Sequence, residues 1–378
     1  MSFYNIVKNI DFDNIENILN NVKEEDIMNT LRKDELSDFD FLTLLSKEAS
    51  NHLERIAQRA NEITLKHFGK AIIMYTPMYI ANYCSNKCVY CSFNIENDIE
   101  RVKLTLEEIE KEAQFISNQG FRHILVLTGE SRKYTPLSYI KEAVMILRKY
   151  FDCISIEIYS LTQEEYHELT EIGVSGLTMY QETYNEKVYK KLHLKGPKKD
   201  YMKRLNTPEN GAKAGLNSIG IGALLGLSDM IQDAFMTGKH VRYLQDKYPE
   251  VEYSVSLPRM RPHLGEFQDF VPVDNRKFVQ ILLAYRLYLP NVGINISTRE
   301  QENFRDYLIP LGATSLSAGV STKVGGHTSN KDKTESQFEI SDKRSLAEIK
   351  KAIKEMGYQP VMKNWMNLNE VDYDNSCK

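Results

Sequence analysis

The sequence predicts an α/β fold, a closed TIM-type (β/α)₈ barrel of parallel strands with a helical extension before it and one helix after it. Two observations support this prediction. After residue 70, eight short β-rich runs alternate with amphipathic helical stretches, which is typical of a parallel sheet. Eight is also the number of strands that closes such a barrel. The composition, 42% hydrophobic and 26% charged over 378 residues, is that of a globular chain.

Residues 1–70 form the predicted N-terminal helical region. Within it, residues 37–69 carry apolar side chains at helical spacing, and Gly69 ends the pattern. The barrel is expected over residues 71–324, because no linker divides that range. Residues 325–378 are predicted to be a polar loop, a terminal helix and a tail.

Strands and helices are placed by their periodicity and by the residues at their ends. The predicted strands are 71–81, 122–130, 153–160, 174–182, 217–226, 251–259, 292–300 and 313–321. The clearest helical stretches are 105–120, 138–150, 162–173 and 276–289. Several of them open with Ser or Thr and two end in Gly, which are the preferred cap residues.

Charge and hydropathy narrow the classes of partner. A formal net charge of -4 does not indicate the basic surface that binds nucleic acid. No apolar run reaches membrane-spanning length, since residues 71–83 are interrupted by Pro77 and Asn82. The first residues lack the pattern of a secretory signal. We therefore expect the protein to be cytoplasmic. Thiols stay reduced in the cytoplasm.

Three of the five cysteines lie within eight residues directly after the first predicted strand, as Cys84, Cys88 and Cys91. Unrelated buried thiols are one interpretation. A structural zinc site is a second, but it requires four ligands. The fourth would come from one of three histidines: His193, His240 or His263. The third interpretation is a [4Fe–4S] cluster, which four thiolates normally hold; three would leave one iron open to a small molecule.

The C-x₃-C-x₂-C spacing, with Tyr90 before the third cysteine, resembles the radical S-adenosylmethionine (SAM) superfamily. This resemblance implies a [4Fe–4S] cluster whose open iron is chelated by the amino and carboxylate groups of SAM. One electron from the cluster then cleaves the sulfonium and releases a 5′-deoxyadenosyl radical. On this interpretation, the missing fourth thiol leaves room for the cofactor.

Polar residues at strand ends are the expected SAM contacts, because a barrel enzyme builds its site there. The superfamily places a Gly-Gly-Glu-like turn after the second strand, where this chain has Thr128, Gly129 and Glu130. Glu182, at the end of the fourth strand, is expected to bind ribose hydroxyls. Arg204, in the next helical stretch, is expected to pair with the SAM carboxylate. A simple turn and a solvated arginine remain the alternatives.

The third strand offers two further candidates for the catalytic site. Glu157 and Tyr159 are two residues apart, so they share one strand face and are both predicted to point into the barrel. A buried carboxylate must be paired. Glu157 is therefore a candidate for the active site, with a structural ion pair as the alternative.

Further motifs resemble one family within the superfamily, the 2-iminoacetate synthases (ThiH). They are "YQETYNEKVYKKLHLKG", "RLNTPENGAKAG", "IGIGALLGLSD", "SLPRMRP" and "STRE", and the similarity extends over nearly the whole chain. The family implies cleavage of the Cα–Cβ bond of L-tyrosine to p-cresol and 2-iminoacetate (dehydroglycine) for thiamine thiazole biosynthesis. It also implies the thiazole synthase subunit (ThiG) and an electron donor such as flavodoxin or ferredoxin as partners.

A tyrosine carboxylate in a dry barrel needs a cationic partner. Arg299, at the end of the seventh predicted strand, has the fork geometry for bidentate binding. Ser317 on the eighth strand is expected to bind the substrate amino group. Arg259 and Arg261 at the end of the sixth strand compete for the carboxylate. The sequence does not single out a base for the phenol.

Other functions stay open at this stage. A lyase of the [FeFe]-hydrogenase maturases shares the barrel and the substrate, but carries a second cluster on extra C-terminal cysteines, where this chain offers only Cys377. A tryptophan-cleaving relative differs in pocket shape, which the sequence does not reveal. A non-catalytic iron–sulfur or zinc protein is the alternative from another class.

Overall fold

The computed structural model describes residues 2–261, 267–328 and 335–363. Its strands are β1 Ala71–Ala81, β2 His123–Thr128, β3 Cys153–Glu157, β4 Val174–Glu182, β5 Ser218–Ala223, β6 Glu252–Ser256, β7 Gly293–Ile296, β8 Ser315–Ser317 and β9 Gln359–Val361. Its first seven α-helices are α1 Phe3–Asn9, α2 Phe12–Asn21, α3 Glu24–Leu31, α4 Asp38–Leu45, α5 Leu53–Phe68, α6 Leu106–Asn118 and α7 Leu137–Leu147. The others are α8 Gln163–Thr170, α9 Glu186–Leu192, α10 Tyr201–Lys213, α11 Met230–Lys247, α12 Asn275–Tyr288, α13 Glu302–Leu308 and α14 Leu346–Glu355.

The barrel is closed, as predicted. Strands β2 to β8 pair in chain order, and β1 closes the ring by pairing in parallel with both β8 and β2. Each predicted strand overlaps one observed strand, and β1 and β4 have the predicted bounds. A ninth strand was not predicted: β9 pairs with the first three residues of β1, with Ala71 opposite Gln359. Three residues in a tail are too few to show a periodicity.

The helical region before the barrel is broken where one long helical stretch was predicted. Helix α4 ends at Leu45, the following residue Ser46 has an extended backbone, and a short 3₁₀ turn over Glu48–His52 leads into α5. The break is stabilised by α12, since the amide of Gln280 donates hydrogen bonds to the carbonyls of Leu44 and Ser46. The apolar face of α4 also packs on the barrel helices.

Small polar residues line much of the barrel interior in the half where the strands begin. Ser155, Ser218, Ser254 and Ser315 face a cavity in the half where the strands begin. A barrel of this type usually packs bulky branched side chains there. In the opposite half of the barrel, where the strands end, large side chains such as the buried Tyr79 surround an open cavity.

The C-terminal ends of the strands converge on one mouth of the barrel. The long connection from β1 to α6 crosses this mouth and carries the three clustered cysteines. Thr105 and Thr162 cap α6 and α8 through capping boxes, as their sequences predict. Among the described residues, no helix has both the length and the apolar character required to cross a membrane.

Candidate active site

A cavity lies at the C-terminal ends of the strands. Eleven of the twelve predicted site residues line it: Cys84, Cys88, Tyr90, Cys91, Gly129, Glu130, Glu157, Glu182, Arg204, Arg299 and Ser317. They come from the loop after β1, the turn after β2, the ends of β3 and β4, helix α10, the loop after β7 and strand β8. The fold thus assembles residues that are more than 230 positions apart in the sequence.

Tyr159 is the exception, and the prediction that it shares the barrel interior with Glu157 is wrong. Strand β3 ends at Glu157, so strand alternation no longer applies two residues later. The Tyr159 hydroxyl donates to the carbonyl of Thr135 at 2.8 Å, and the guanidinium of Arg132 lies 4.8 Å from its ring centre. Tyr159 therefore packs outside the cavity.

The cysteine loop is held against the connection that follows α9. Backbone hydrogen bonds join residues 87–89 to residues 192–195. Burial lowers the pKa of His193 to about 3, so its ring is neutral. The ring Nδ1 faces the carbonyl of Tyr189 at 2.8 Å and must donate to it, which leaves Nε2 to accept from the Tyr90 hydroxyl at 2.7 Å.

This arrangement argues against the zinc interpretation. Both ring nitrogens of His193 form hydrogen bonds. His240 lies on α11, where its Nδ1 contacts the hydroxyl of Tyr184. His263 lies outside the described residues. Within the described ranges, no three His, Cys, Asp or Glu side chains gather around one point as single-ion ligands must.

The same cysteine geometry fits a cluster. The three thiols line one wall of the cavity at separate positions on the loop, and a [4Fe–4S] group binds each thiolate through a different iron. Burial raises the pKa of Cys84 to about 11 and also raises that of Cys91. Thiols of this kind need a cationic partner to ionise, which iron supplies.

The turn after β2 packs directly against the cysteine loop. A Cβ atom at Gly129 would lie 2.4 Å from the carbonyl oxygen of Tyr83, so only glycine allows this approach. The carbonyl of Glu130 accepts from the backbone N–H of Ser85 at 3.0 Å. The side chain of Glu130 accepts from the amide of Asn86 at 2.9 Å. The second glycine position of the turn is therefore structurally required.

Four charged side chains form a buried network beside this turn. Arg204 donates to Glu130 at 2.9 Å and to the carbonyl of Tyr180 at 2.8 Å, and lies 3.7 Å from Glu182. Lys198 donates to Glu182 at 2.6 Å. Burial acts to raise the pKa of Glu182, but the two cations outweigh burial and lower it overall. Arg204 is thus a buried site residue, and the alternative of a solvated arginine is wrong.

Lys198 and the backbone of Glu182 were not predicted. The segment "KGPKK" has the composition of a solvent-exposed loop, yet Lys198 within it lies in the cavity wall. Among the described residues, Glu182 is the one non-glycine residue with a positive φ, at 70°. Such a conformation costs roughly 1–3 kcal/mol and is concentrated at functional sites.

Across the cavity, the three arginine candidates for the substrate carboxylate differ in their surroundings. Arg299 lies in the loop after β7, with its guanidinium 3.5 Å from the ring centre of Phe338. Burial lowers its pKa, and no described carboxylate forms a salt bridge with it. Arg261 also lines the cavity, but it donates to Glu300 at 3.0 Å. Arg259 is bound to Glu300 and lies away from the cavity.

Ser317 and Glu157 complete the wall. The Ser317 hydroxyl oxygen accepts from the backbone N–H of Thr298 at 3.2 Å, and the hydroxyl group also interacts with that of Tyr75. Glu157 forms no hydrogen bond or salt bridge with any described residue. Burial, together with the nearby Glu182, raises the pKa of Glu157 to about 7. The structural ion pair considered for Glu157 is therefore not found in the described part of the chain.

Comparison with sequence profiles assigns the class. The profile of the radical SAM superfamily matches residues 78–236, and that of the biotin and thiamin synthesis associated domain matches residues 256–359. The first match contains the cysteine loop, the turn after β2 and the charged network. A closed barrel with this loop at its mouth places the protein in the radical SAM class of enzymes.

Similar proteins identify the family. The chain is 38% identical to the 2-iminoacetate synthase of Escherichia coli (strain K12) over 359 residues, which is 95% of each chain. It is 37% identical to that of Salmonella typhimurium (strain LT2) over the same shares. The FeFe-hydrogenase maturase HydG from Carboxydothermus hydrogenoformans has a similar structure, with a TM-score of 0.84 and 32% identity over 95% of this chain and 82% of that chain. This chain belongs to the 2-iminoacetate synthase family.

Proposed function

We propose that this enzyme cleaves the Cα–Cβ bond of L-tyrosine and releases p-cresol and 2-iminoacetate for thiamine thiazole biosynthesis. One observation supports it above others. The cavity that holds the cysteine loop also holds Arg299, a guanidinium without a described carboxylate partner, beside the hydroxyl of Ser317. A buried cation of this kind fits the carboxylate of an amino acid.

The residues present fit a [4Fe–4S] cluster and SAM. Cys84, Cys88 and Cys91 would hold the cluster, and the turn at Gly129 would offer backbone carbonyls to the ammonium of SAM. When bound, the cluster and SAM supply a 5′-deoxyadenosyl radical that can take a hydrogen atom from a substrate. Glu182, whose φ is positive, would accept from ribose hydroxyls, and Arg204, which lies 3.7 Å from it, would pair with the SAM carboxylate.

The rest of the cavity would bind and orient tyrosine. Arg299 holds the substrate carboxylate, and its stacking on Phe338 fixes the plane of the fork. Ser317 contacts the amino group, which is attached to the same α-carbon as that carboxylate. Tyr79, whose hydroxyl donates to Gln337 at 2.7 Å, gives the substrate ring an aromatic wall. These contacts exclude water from the bond that breaks.

The proposed product requires partners beyond this chain. An imine such as 2-iminoacetate is hydrolysed by water, so we propose that the thiazole synthase subunit (ThiG) receives it directly. The cluster must be reduced before each cleavage of SAM, so an electron donor such as flavodoxin or ferredoxin is the second partner. Neither interaction requires a nucleic acid or a membrane.

Product analysis tests this function. The protein is reconstituted with iron and sulfide under anaerobic conditions and incubated with SAM, a reductant and either L-tyrosine or L-tryptophan. We expect 5′-deoxyadenosine and p-cresol with tyrosine, and no 3-methylindole with tryptophan. SAM cleavage without p-cresol would contradict the proposal, and 3-methylindole would assign a tryptophan lyase instead. Absence of iron, sulfide and SAM cleavage would favour a non-catalytic protein.

A further inference from the structure

Glu157 is exceptional among the acidic groups of the active-site cavity. Glu130 and Glu182 each bind a cation within hydrogen-bond distance. Glu157 also lines the cavity but has no hydrogen-bonding or ionic partner among the described residues. A carboxylate that faces a cavity without a partner is available to a ligand, because a partly buried charge otherwise needs compensation.

The position of Glu157 in the barrel indicates which part of the substrate it meets. Glu157 ends β3, whereas Arg299 follows β7, and these strands are four apart in a closed ring of eight. The two side chains therefore enter the cavity from opposite walls. If Arg299 holds the carboxylate, the amino group stays on the same side near Ser317, because it is attached to the adjacent carbon. Only the phenol end of tyrosine extends across the cavity toward β3.

We propose that Glu157 is the general base that accepts the phenolic proton of tyrosine during Cα–Cβ cleavage. This inference rests on the proposed function and on Arg299 as the carboxylate site. One proton moves and no electron does: the phenol O–H bond breaks, its electron pair stays on the phenolate oxygen, and an O–H bond forms on the Glu157 carboxyl group. The phenolate charge stabilises the benzylic fragment as it separates. The same proton returns to the oxygen of p-cresol before release.

The surroundings of Glu157 suit this role. The charged groups that face it are Glu182, which disfavours its ionised form, and Arg204, Lys198 and Arg299, which favour it. The hydroxyls of Tyr75, Tyr79 and Tyr180 also face it from β1 and β4. The balance places the pKa of Glu157 at about 7, and a base is most effective when its pKa lies near the working pH.

Glu157→Gln tests the proposal, because it keeps the shape of the side chain and removes the base. Two substrates are compared: L-tyrosine, and 3,5-difluoro-L-tyrosine, whose phenol ionises more readily. With tyrosine we expect the rate of p-cresol formation to fall by roughly 10²-fold or more, the usual contribution of a general base. With difluorotyrosine at a pH that ionises its phenol, most of the loss should be recovered. SAM cleavage without substrate should persist. Glu142→Gln, on the exposed face of α7, is the matched control.

Two results would overturn the proposal. Unchanged p-cresol formation by Glu157→Gln would show that the carboxylate is not needed. Equal losses for both substrates, with a raised KM, would place Glu157 on the substrate ammonium instead. Either result requires that the wild-type enzyme makes p-cresol, so failure of the base is distinguished from failure of the proposed function.

The wild-type enzyme provides an independent test should the variant lose its cluster. As the pH falls through about 7, Glu157 becomes protonated and can no longer accept a proton. We expect kcat/KM for tyrosine to decrease there, while that for 2,3,5,6-tetrafluoro-L-tyrosine, whose more acidic phenol stays ionised to a lower pH, decreases much less. Identical pH profiles for the two substrates would contradict the proposal.

Discussion

At the scale of single residues, the cavity separates its charges into two groups. Arg204 and Lys198 are neutralised by Glu130 and Glu182 beside the cysteine loop. Arg299 stands on the opposite side with an aromatic partner and no described carboxylate. The first group suits a zwitterionic cofactor that replaces existing contacts, and the second suits a substrate that brings its own negative charge.

Arg299→Ala should abolish tyrosine binding without affecting SAM. Loss of a buried charge partner costs roughly 3–5 kcal/mol, so affinity for tyrosine should fall by two orders of magnitude or more, at about 1.4 kcal/mol for each factor of ten. Arg299→Lys should recover only part, because an ammonium lacks the fork. The measurement is p-cresol and 5′-deoxyadenosine from one reaction, with the exposed Arg32→Ala as control. Normal p-cresol with Arg299→Ala and its loss with Arg261→Ala would move the carboxylate site to the loop after β6.

The cluster ligands should behave as a set. Alanine at Cys84, Cys88 or Cys91 should each remove the iron–sulfur absorbance and all SAM cleavage, because two thiolates do not hold the cluster. Cys153→Ala, a change at a buried cysteine at the start of β3, should keep wild-type iron and sulfide content. Full loading in Cys88→Ala would exclude this cysteine as a ligand.

At the scale of elements, the site depends on loops that are fixed against each other. The turn after β2 lies against the cysteine loop, and the cysteine loop lies against the connection after α9. Long loops of this kind are positioned by their contacts rather than by their own conformational preferences. A change in one of them should therefore disturb a function that another carries.

Gly129→Ala tests this dependence, since it removes no ligand. Its Cβ would lie 2.4 Å from the Tyr83 carbonyl oxygen, so the cysteine loop must shift. A forced shift of this kind costs roughly 1–3 kcal/mol, which corresponds to roughly 5- to 150-fold in SAM affinity. Equilibrium binding of SAM to the reconstituted protein measures the effect. Gly211→Ala in α10 is the control, because its nearest neighbours are flexible leucine side chains. Wild-type affinity in Gly129→Ala would mean that the turn adapts freely.

The sequence predicted helices and strands correctly where the hydrophobic pattern extends over many residues. It failed where contacts with distant residues determine the local structure. Eight strands and the helix near the C-terminus were found because each has an alternating or helical pattern. The break at Ser46 was missed, because the amide of Gln280 that stabilises it is 234 residues away. Tyr159 was misplaced because β3 ends at Glu157, three residues before the predicted end of the strand at residue 160.

At the scale of the whole molecule, the barrel buries a carboxylate that serves packing rather than catalysis. Asp233 on α11 is 1% exposed, and one of its oxygens accepts from the backbone N–H of Tyr184 and the hydroxyl of Thr183. Its second oxygen has no hydrogen-bond partner in the part of the chain that the structure describes. Burial raises the pKa of Asp233 to about 7, so this group makes the stability of the fold depend on pH.

The sign of that dependence is fixed by the raised pKa. The folded state favours the protonated acid, so the contribution of Asp233 to stability is complete below its unfolded pKa and is lost as the pH rises to about 7. Asp233→Asn cannot ionise. We expect the Tm of the variant relative to wild type to increase between about pH 4 and pH 7 and then level off. A difference in Tm that is constant over this range would contradict the assignment.

The residues of the candidate site were predictable where they belong to a recognisable sequence motif or to the end of a strand. Eleven of the twelve chosen residues line one cavity, because strand ends and the cysteine spacing locate them in sequence. Lys198 was missed because a buried lysine in a loop is indistinguishable from a solvated one without its partner Glu182. The base for the phenol was likewise not identifiable, since it depends on which strands face each other across the barrel.

The measurement that tests the central claim most directly follows the two carbons of the bond that breaks. The reconstituted enzyme is given L-tyrosine labelled with ¹³C at Cβ alone, with SAM and a reductant, and both products are analysed by mass spectrometry. Cleavage between Cα and Cβ predicts that all of the label is in the methyl group of p-cresol and that 2-iminoacetate, or the glyoxylate formed from it by hydrolysis, is unlabelled. Label in the two-carbon product, or SAM cleavage with no labelled p-cresol, would contradict it.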